Sequence, residues 1–314
     1  MLRFLLSRVA QTIAVLFTVS VIIFALMRLI PGDPVLMMLG DDFTENAYRQ
    51  LRAKLGLDRS IVTQYVIWLQ AILRGDFGDS YLSHERVSRL VWEAFLPTLS
   101  LVVASLIVGV LLAVPSGIVA AMRKDSAWDW GSMGFAIFVY SMPSFWKGIV
   151  LIWIFSVYLR WFPAVGYVHP WEDFWGGTWK LVLPAITLGT FFSGLVARII
   201  RSSLLEVLDL DYIKAARARG VRQAALVYRH ALANALIPVV TVIGLQFGTL
   251  LGGAVLTETV FGIPGMGRLT VAAILNRDYS VVQGTILVGV FVVVLVNLVV
   301  DLSYAFLNPR IRLA

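Results

Sequence analysis

Six apolar runs, each long enough to cross a bilayer as a helix, constrain this chain more than any motif in it: residues 10–30, 96–121, 131–158, 181–200, 235–256 and 284–306. A helix rises about 1.5 Å per residue, so roughly 20 residues cover the ~30 Å of bilayer hydrocarbon. Lipid offers the backbone no hydrogen-bond partners, and a helix satisfies its own N–H and C=O groups within one segment. The chain is therefore expected to be all-α: a polytopic membrane protein with six transmembrane helices. The runs also explain the composition. Charged residues make up 14% of the 314, well below the ~25% of soluble domains, and mean hydropathy is +0.83.

The polar segments between the runs set the topology. Met1 to Val9 carries Arg3 and Arg8. A basic start before an apolar run also fits a cleaved signal peptide. This run is long for one, no small-x-small site follows it, and more runs come later. The reading is an uncleaved first span, residues 1–30 with the N-terminus inside. Pro31-Gly32-Asp33-Pro34 stops it, since two prolines and a glycine do not continue a helix. Residues 31–95 then form a polar outer subdomain, with helices expected at Glu45 to Leu55 and Ile61 to Leu73. Within it, Arg74-Gly75-Asp76 imitates an adhesion tripeptide and reads as a chance string in a turn. Residues 96–307 hold the other five spans, the third of them interrupted by Pro143. Trp161, Trp171, Trp175 and Trp179 in the next outer loop suit a membrane–water boundary. Glu258 to Gln283 reads as an outer loop, and 308–314 as a basic inner tail with Arg310 and Arg312. The short segments bearing Arg123 and Lys124, the cluster Arg201 to Arg229, and the tail pair all fall on one side, which the positive-inside rule makes cytoplasmic. The net charge of +7 is thus a topology signal. No base-stacking or base-reading module accompanies it, so nucleic acid is not a partner.

Within the inner loop at 201–234, one stretch differs from an ordinary charged linker: Asp211 to Pro238, DYIKAARARGVRQAALVYRHALANALIP. Ala, Leu and Arg favour a helix, and Asp211 can accept from the first free N–H groups. Tyr212, Ala215, Ala216 and Gly220 recur at spacings of three and four and so share a face. Ala and Gly leave that face nearly bare, with Lys214, Arg217 and Arg219 around it. Gly220 also lets the chain turn, so that Val221 to Ala233 forms a second helix. On charge alone this is topology; the small-residue spacing makes it a docking element.

Other chemistry is thin. With no cysteine, disulfides and thiol chemistry are excluded. His84, His169 and His230 stand in separate loops without metal-ligand spacing, and no dyad for an intramembrane enzyme is visible. Gly262 to Arg268 imitates a phosphate loop, but Arg268 replaces its lysine and Leu269 its Ser/Thr. The chain thus has no nucleotide site of its own, and no metal or catalytic residue is assigned. Charges within spans are costly and mark function by default. Lys147 lies mid-span, where lining a pathway, pairing with an acid and snorkelling all remain open. Asp301, near the inner headgroups, reads as structural; Gln246 and Asn297 are polar but uncharged. The two-acid relay of a proton-coupled carrier is not evident.

Taken in order, the chain resembles the permease subunits of ATP-binding-cassette importers, in the dipeptide, oligopeptide, glutathione and nickel branch. The landmarks are Pro31-Gly32-Asp33-Pro34, Gly75-Asp76-Phe77-Gly78, Ser141-Met142-Pro143-Ser144-Phe145, Asp211 to Gly220, Asn234 to Pro238, Glu258 to Gly267, and Asn297 to Asp301 near Asn308-Pro309-Arg310. The resemblance implies a type I importer permease fold with an outer, periplasmic insertion after the first helix. It implies an ATPase-coupling role for Tyr212, Ala215, Ala216, Arg219 and Gly220, and a pathway near Ser141, Pro143, Lys147 and Gln246. Lys214, where many permeases carry Glu, and Ala233, near a usual Pro, depart from the pattern. The implied partners are a second permease, two ATPase subunits holding ATP and magnesium, a soluble extracytoplasmic binding protein, and lipid. The implied location is the bacterial inner membrane, with both termini cytoplasmic. The subunit itself would be no enzyme. An ion-coupled secondary carrier acting alone is the rival reading.

Overall fold

The computed structural model describes residues 2–29, 34–39, 43–54 and 56–307. Among these the regular structure is helical, apart from one isolated bridge between Asp79 and Arg86. In chain order the helices are α1 (Leu2–Leu29), α2 (Pro34–Leu39), α3 (Glu45–Lys54), α4 (Ile61–Leu73), α5 (Val87–Met122), α6 (Ala127–Ser141), α7 (Ser144–Leu151), α8 (Phe174–Leu208), α9 (Asp211–Ala218), α10 (Gln223–Ala225), α11 (Leu232–Phe261), α12 (Met266–Leu275) and α13 (Tyr279–Leu307). Wider, π-helical turns follow α7, over Ile152–Tyr158, and precede α11, over Leu226–Ala231. Among the described residues, five helices are long and apolar enough to cross a membrane, or six spans if the bent pair α6–α7 counts as one. The stop at Pro31 to Asp33 and the basic tail lie outside the described residues.

Most spans outrun their apolar runs. α5 starts at Val87 and α8 has 35 residues, so polar turns continue the same helices past the ~20 residues that lipid requires. The expected helices at Glu45 and Ile61 are present. Ser60 caps the second, its hydroxyl accepting from the Thr63 N–H. Residues 258–283, expected as loop, contain α12. Gly262, at φ +65°, closes α11, and Gly265 opens α12. Proline and glycine punctuation masked a helix of only ten residues.

The described residues fall into two compact units. In the first, drawn from residues 1–96 and 265–294, α4 lies against α1. Ser20 hydrogen-bonds Tyr65 at 2.8 Å, Phe24 packs on Tyr65 and Trp68, and Arg28 donates to Gln64 Oε1. Val87, Val91, Ala94, Met266, Ala273, Val281 and Val282 form its core. Buried Asp278 accepts the Ser80 hydroxyl, with the oxygens 2.5 Å apart.

The second unit, residues 97–264 and 295–314, is built around α8, with α6, α7 and α11 packed on it. α5 crosses α8 on a face of small residues, with Phe192 and Ile200 of α8 packed against it. Ser105, Gly109, Ala113 and Gly117 recur every four residues and are all buried. A Cβ added at Gly109 would lie 2.8 Å from the Gly189 carbonyl, and one at Gly117 2.7 Å from that of Ala197. Backbones approach this closely only between small residues. Glu258, near the C-terminal end of α11, is fully buried, and the Thr98 hydroxyl donates to its Oε1 at 2.5 Å.

Candidate functional site

α9 is eight residues long and has one buried anchor. Ile213 is 0% exposed, and α9 packs against the last turn of α8 and the π-helical turn that contains buried Leu226 and Val227. Tyr212, 44% exposed, ties it down: its hydroxyl accepts from Asn234 Nδ2 at 2.9 Å and donates to the His230 carbonyl at 3.4 Å. Ala215 and Arg219 are exposed beside it and Ala216 is half-buried. Lys214, Arg217, Arg219 and Arg222 leave the surface basic. The element is therefore a short helix with a small, cationic outer face, clamped at one aromatic and one aliphatic residue.

Three expectations change. Leu210, not Asp211, is the N-cap, and it makes no side-chain cap. Asp211 is the first helical residue and sits 4.0 Å from Lys214, an exposed pair of little energetic weight. Gly220 is not on the helical face. It follows the cap residue Arg219 at φ +82°, its N–H bonded to the Arg217 carbonyl. This is the left-handed C-terminal stop that glycine fills best. Nothing lies within 4 Å of where its Cβ would be, so backbone conformation alone demands the glycine. The second helix expected from Val221 is split into α10 and the π-helical turn.

The break in the third span lies in the same unit. Met142 is extended (φ −77°, ψ 130°), as a residue before proline tends to be, and Pro143 caps α7. The two halves meet at 102°. Ser141 and Pro143 are exposed at the corner, and the Ser141 hydroxyl donates back to the Ile137 carbonyl. Lys147, one turn further on, is 7% exposed and donates to Thr190 Oγ1 of α8 at 3.2 Å. Gly148 beside it lets Phe261 and Val260 of α11 approach. Gln246 is half-buried on α11, which packs on α7. Snorkelling is thus not what Lys147 does; its ammonium is held within the unit by a neutral hydroxyl.

A third feature went unread in the sequence. Arg201, near the end of α8, grips Asp129 at the start of α6 with two hydrogen bonds of 2.7 and 2.6 Å. Asp129 is 4% exposed and also accepts the Asp125 N–H. Bidentate guanidinium–carboxylate pairing fixes orientation as well as distance. It joins the N-terminal end of the broken span to the helix that leads into α9. Arg201 had counted only as topology charge, and a partner 72 residues away leaves no local signal.

The sequence model of the family described as "Binding-protein-dependent transport system inner membrane component" matches residues 113–313, and that of the N-terminal part of such membrane components matches residues 1–102. The chain belongs to this family. A putative peptide transport system permease protein of Brucella abortus is 41% identical over 312 residues, covering 99% of each chain. The dipeptide transport system permease protein of Escherichia coli K12 is 41% identical over 340, again 99% of each. Inward-facing structures of the MetNI methionine ABC transporter contain a chain that superposes with TM-scores of 0.58 and 0.59. Identities there are 18% and 17%, with 70% of this chain and 96% of that chain covered. The likeness shows the permease fold of an ATP-binding-cassette importer. The protein is thus a multi-pass permease of binding-protein-dependent transport, and the stand-alone ion-coupled carrier finds no support in these relatives. The 113–313 match takes in α9, the break at Pro143 and the Asp129–Arg201 pair of this permease.

Proposed function

We propose that the permease forms half of the pathway of an ATP-driven importer for short peptides or related small solutes, and that α9 is where separate ATPase subunits push on it. The observation that carries this is α9 itself: a short helix exposed beyond the spans, bare of large side chains at Ala215 and Ala216, and joined to both α8 and α11. The names of relatives matched from end to end support the peptide class. Tyr212, Ala215, Ala216 and Arg219 would meet the ATPase, and Gly220 sets the turn behind them. Ser141, Pro143, Lys147 and Gln246 would border the pathway, where a buried ammonium suits the carboxylate of a peptide. ATP and magnesium belong to the partner chains. A second homologous permease, two ATPase subunits and an extracytoplasmic binding protein complete the assembly in the bacterial inner membrane, with both termini cytoplasmic and no catalysis on this chain. ATP closure can shift the permease only through an affinity for α9 that differs between its two states.

Co-purification tests the reading. The chain is tagged, expressed with its genomic neighbours and extracted in mild detergent. Stoichiometric ATPase and a second permease, both retained by wild type and with the ATPase lost on Ala215→Trp/Ala216→Trp, support it. A chain that purifies alone and moves solute in liposomes without ATP overturns it.

A further inference from the structure

Between α5 and α6 lies an open groove of about 460 Å³ lined by Pro115, Ser116, Val119, Trp128, Gly131 and Phe135, within the ~300–1,000 Å³ usual for ligand sites. Its two hydroxyls spend their protons on the backbone. Ser116 donates to the Leu112 and Ala113 carbonyls, and Ser132, also on its wall, to those of Trp128 and Asp129. The surface is therefore apolar in effect. Gly131 lies bare on it, with no atom within 4 Å of where a Cβ would sit. Glycine inside a helix is unfavourable relative to alanine, and no packing among the described residues accounts for it here.

The rim at the α5–α6 turn is cationic. Arg123 stacks over the Trp128 ring at 5.0 Å, and Lys124 is exposed beside it. Of the two nearby acids, Asp129 is occupied by Arg201. Asp125 is exposed and offsets one of the two charges.

We propose that this groove binds one anionic phospholipid, an acyl chain along Val119, Gly131 and Phe135 and the headgroup phosphate on Arg123 and Lys124. The charged rim over an apolar channel matches a lipid's order of polarity; a partner helix would meet the same channel without needing the cations. Basic pockets between spans on the cytoplasmic side suit anionic headgroups. The leaflet, the inner one, rests on the orientation proposed above, while the binding itself does not.

The test uses the full chain in detergent, mixed with equal phosphatidylglycerol and phosphatidylcholine and read by native mass spectrometry. Two basic contacts partly offset by Asp125 give an expected preference of roughly tenfold for phosphatidylglycerol. Arg123→Gln/Lys124→Gln loses the preference but keeps weak binding of both lipids. Gly131→Phe, whose Cβ meets no atom within 4 Å and whose ring would occupy the groove, lowers retention of both. Circular dichroism confirms that each variant is folded. A photoreactive phosphatidylglycerol labels Trp128 or Phe135 in the wild type. Equal retention of the two lipids, unchanged retention in Gly131→Phe, or labelling elsewhere would overturn the proposal. So would protection of the groove from the probe by a second permease chain.

Discussion

Gly220 and Lys147 carry the sharpest claims that single residues can test. At φ +82° a larger L-residue is strained by about 1–2 kcal/mol, yet space around the position is open. Gly220→Leu should therefore keep the protein folded in the membrane while lowering ATP-driven uptake at least several-fold. Gly220→Asn, which tolerates the left-handed region better, should restore much of it. Equal uptake in all three would remove the turn from the coupling scheme. Lys147 makes a different demand. Its ammonium is nearly buried, with the neutral hydroxyl of Thr190 as the hydrogen-bond acceptor at 3.2 Å, so a negative group that reaches it gains a strong charge-assisted partner. Lys147→Met should lower uptake of peptides with a free C-terminal carboxylate by roughly tenfold or more and leave amidated peptides little changed, if a carboxylate is what the ammonium meets. The same loss for both kinds of peptide would point to a purely structural lysine.

Between elements, the Asp129–Arg201 pair and the α5–α8 crossing make opposite kinds of contact. Removing one partner of a largely buried ion pair strands the other, at a cost of about 3–5 kcal/mol in well-buried cases; Arg201 is partly exposed, which lowers the figure here. Asp129→Ala should lower the melting temperature in detergent, and Asp129→Leu/Arg201→Leu should recover most of the loss. A double variant as unstable as the single one would mean that the pair has no such coupling. At the crossing, Gly189→Leu should abolish accumulation of folded chain, because its Cβ would lie 2.5 Å from the Ser105 carbonyl. Neither contact is evident from sequence. Span number, the helices at Glu45 and Ile61 and the break at Pro143 follow from hydropathy and proline, which act locally. The four-residue recurrence of Ser105, Gly109, Ala113 and Gly117 went unread, because small residues inside an apolar run do not disturb its hydropathy and nothing in them names α8 as the partner. α9 was readable as a helix, whereas its buried anchor Ile213 looks like any other aliphatic residue until the π-helical turn lies against it. Asp129 and Arg201 meet only through the fold, and α12 was hidden by the proline and glycines at its start.

At the scale of the molecule, the proposed importer makes transport a property of an assembly. Reconstituted alone in vesicles, the chain should move no solute down an imposed proton or sodium gradient. Adding the second permease, ATPase subunits and binding protein should make uptake follow ATP. Gradient-driven uptake by the chain alone would contradict the importer reading. The close crossing of α5 and α8 bears on something other than transport. In lipid, separating two helices exposes them to hydrocarbon and not to water, so the contact is held by close van der Waals packing. Water-driven burial brings a large heat-capacity change; this contact brings little. Its strength should then fall almost in a straight line with temperature, without the low-temperature maximum of a soluble core, and cold should tighten this part of the permease where it loosens a water-soluble protein.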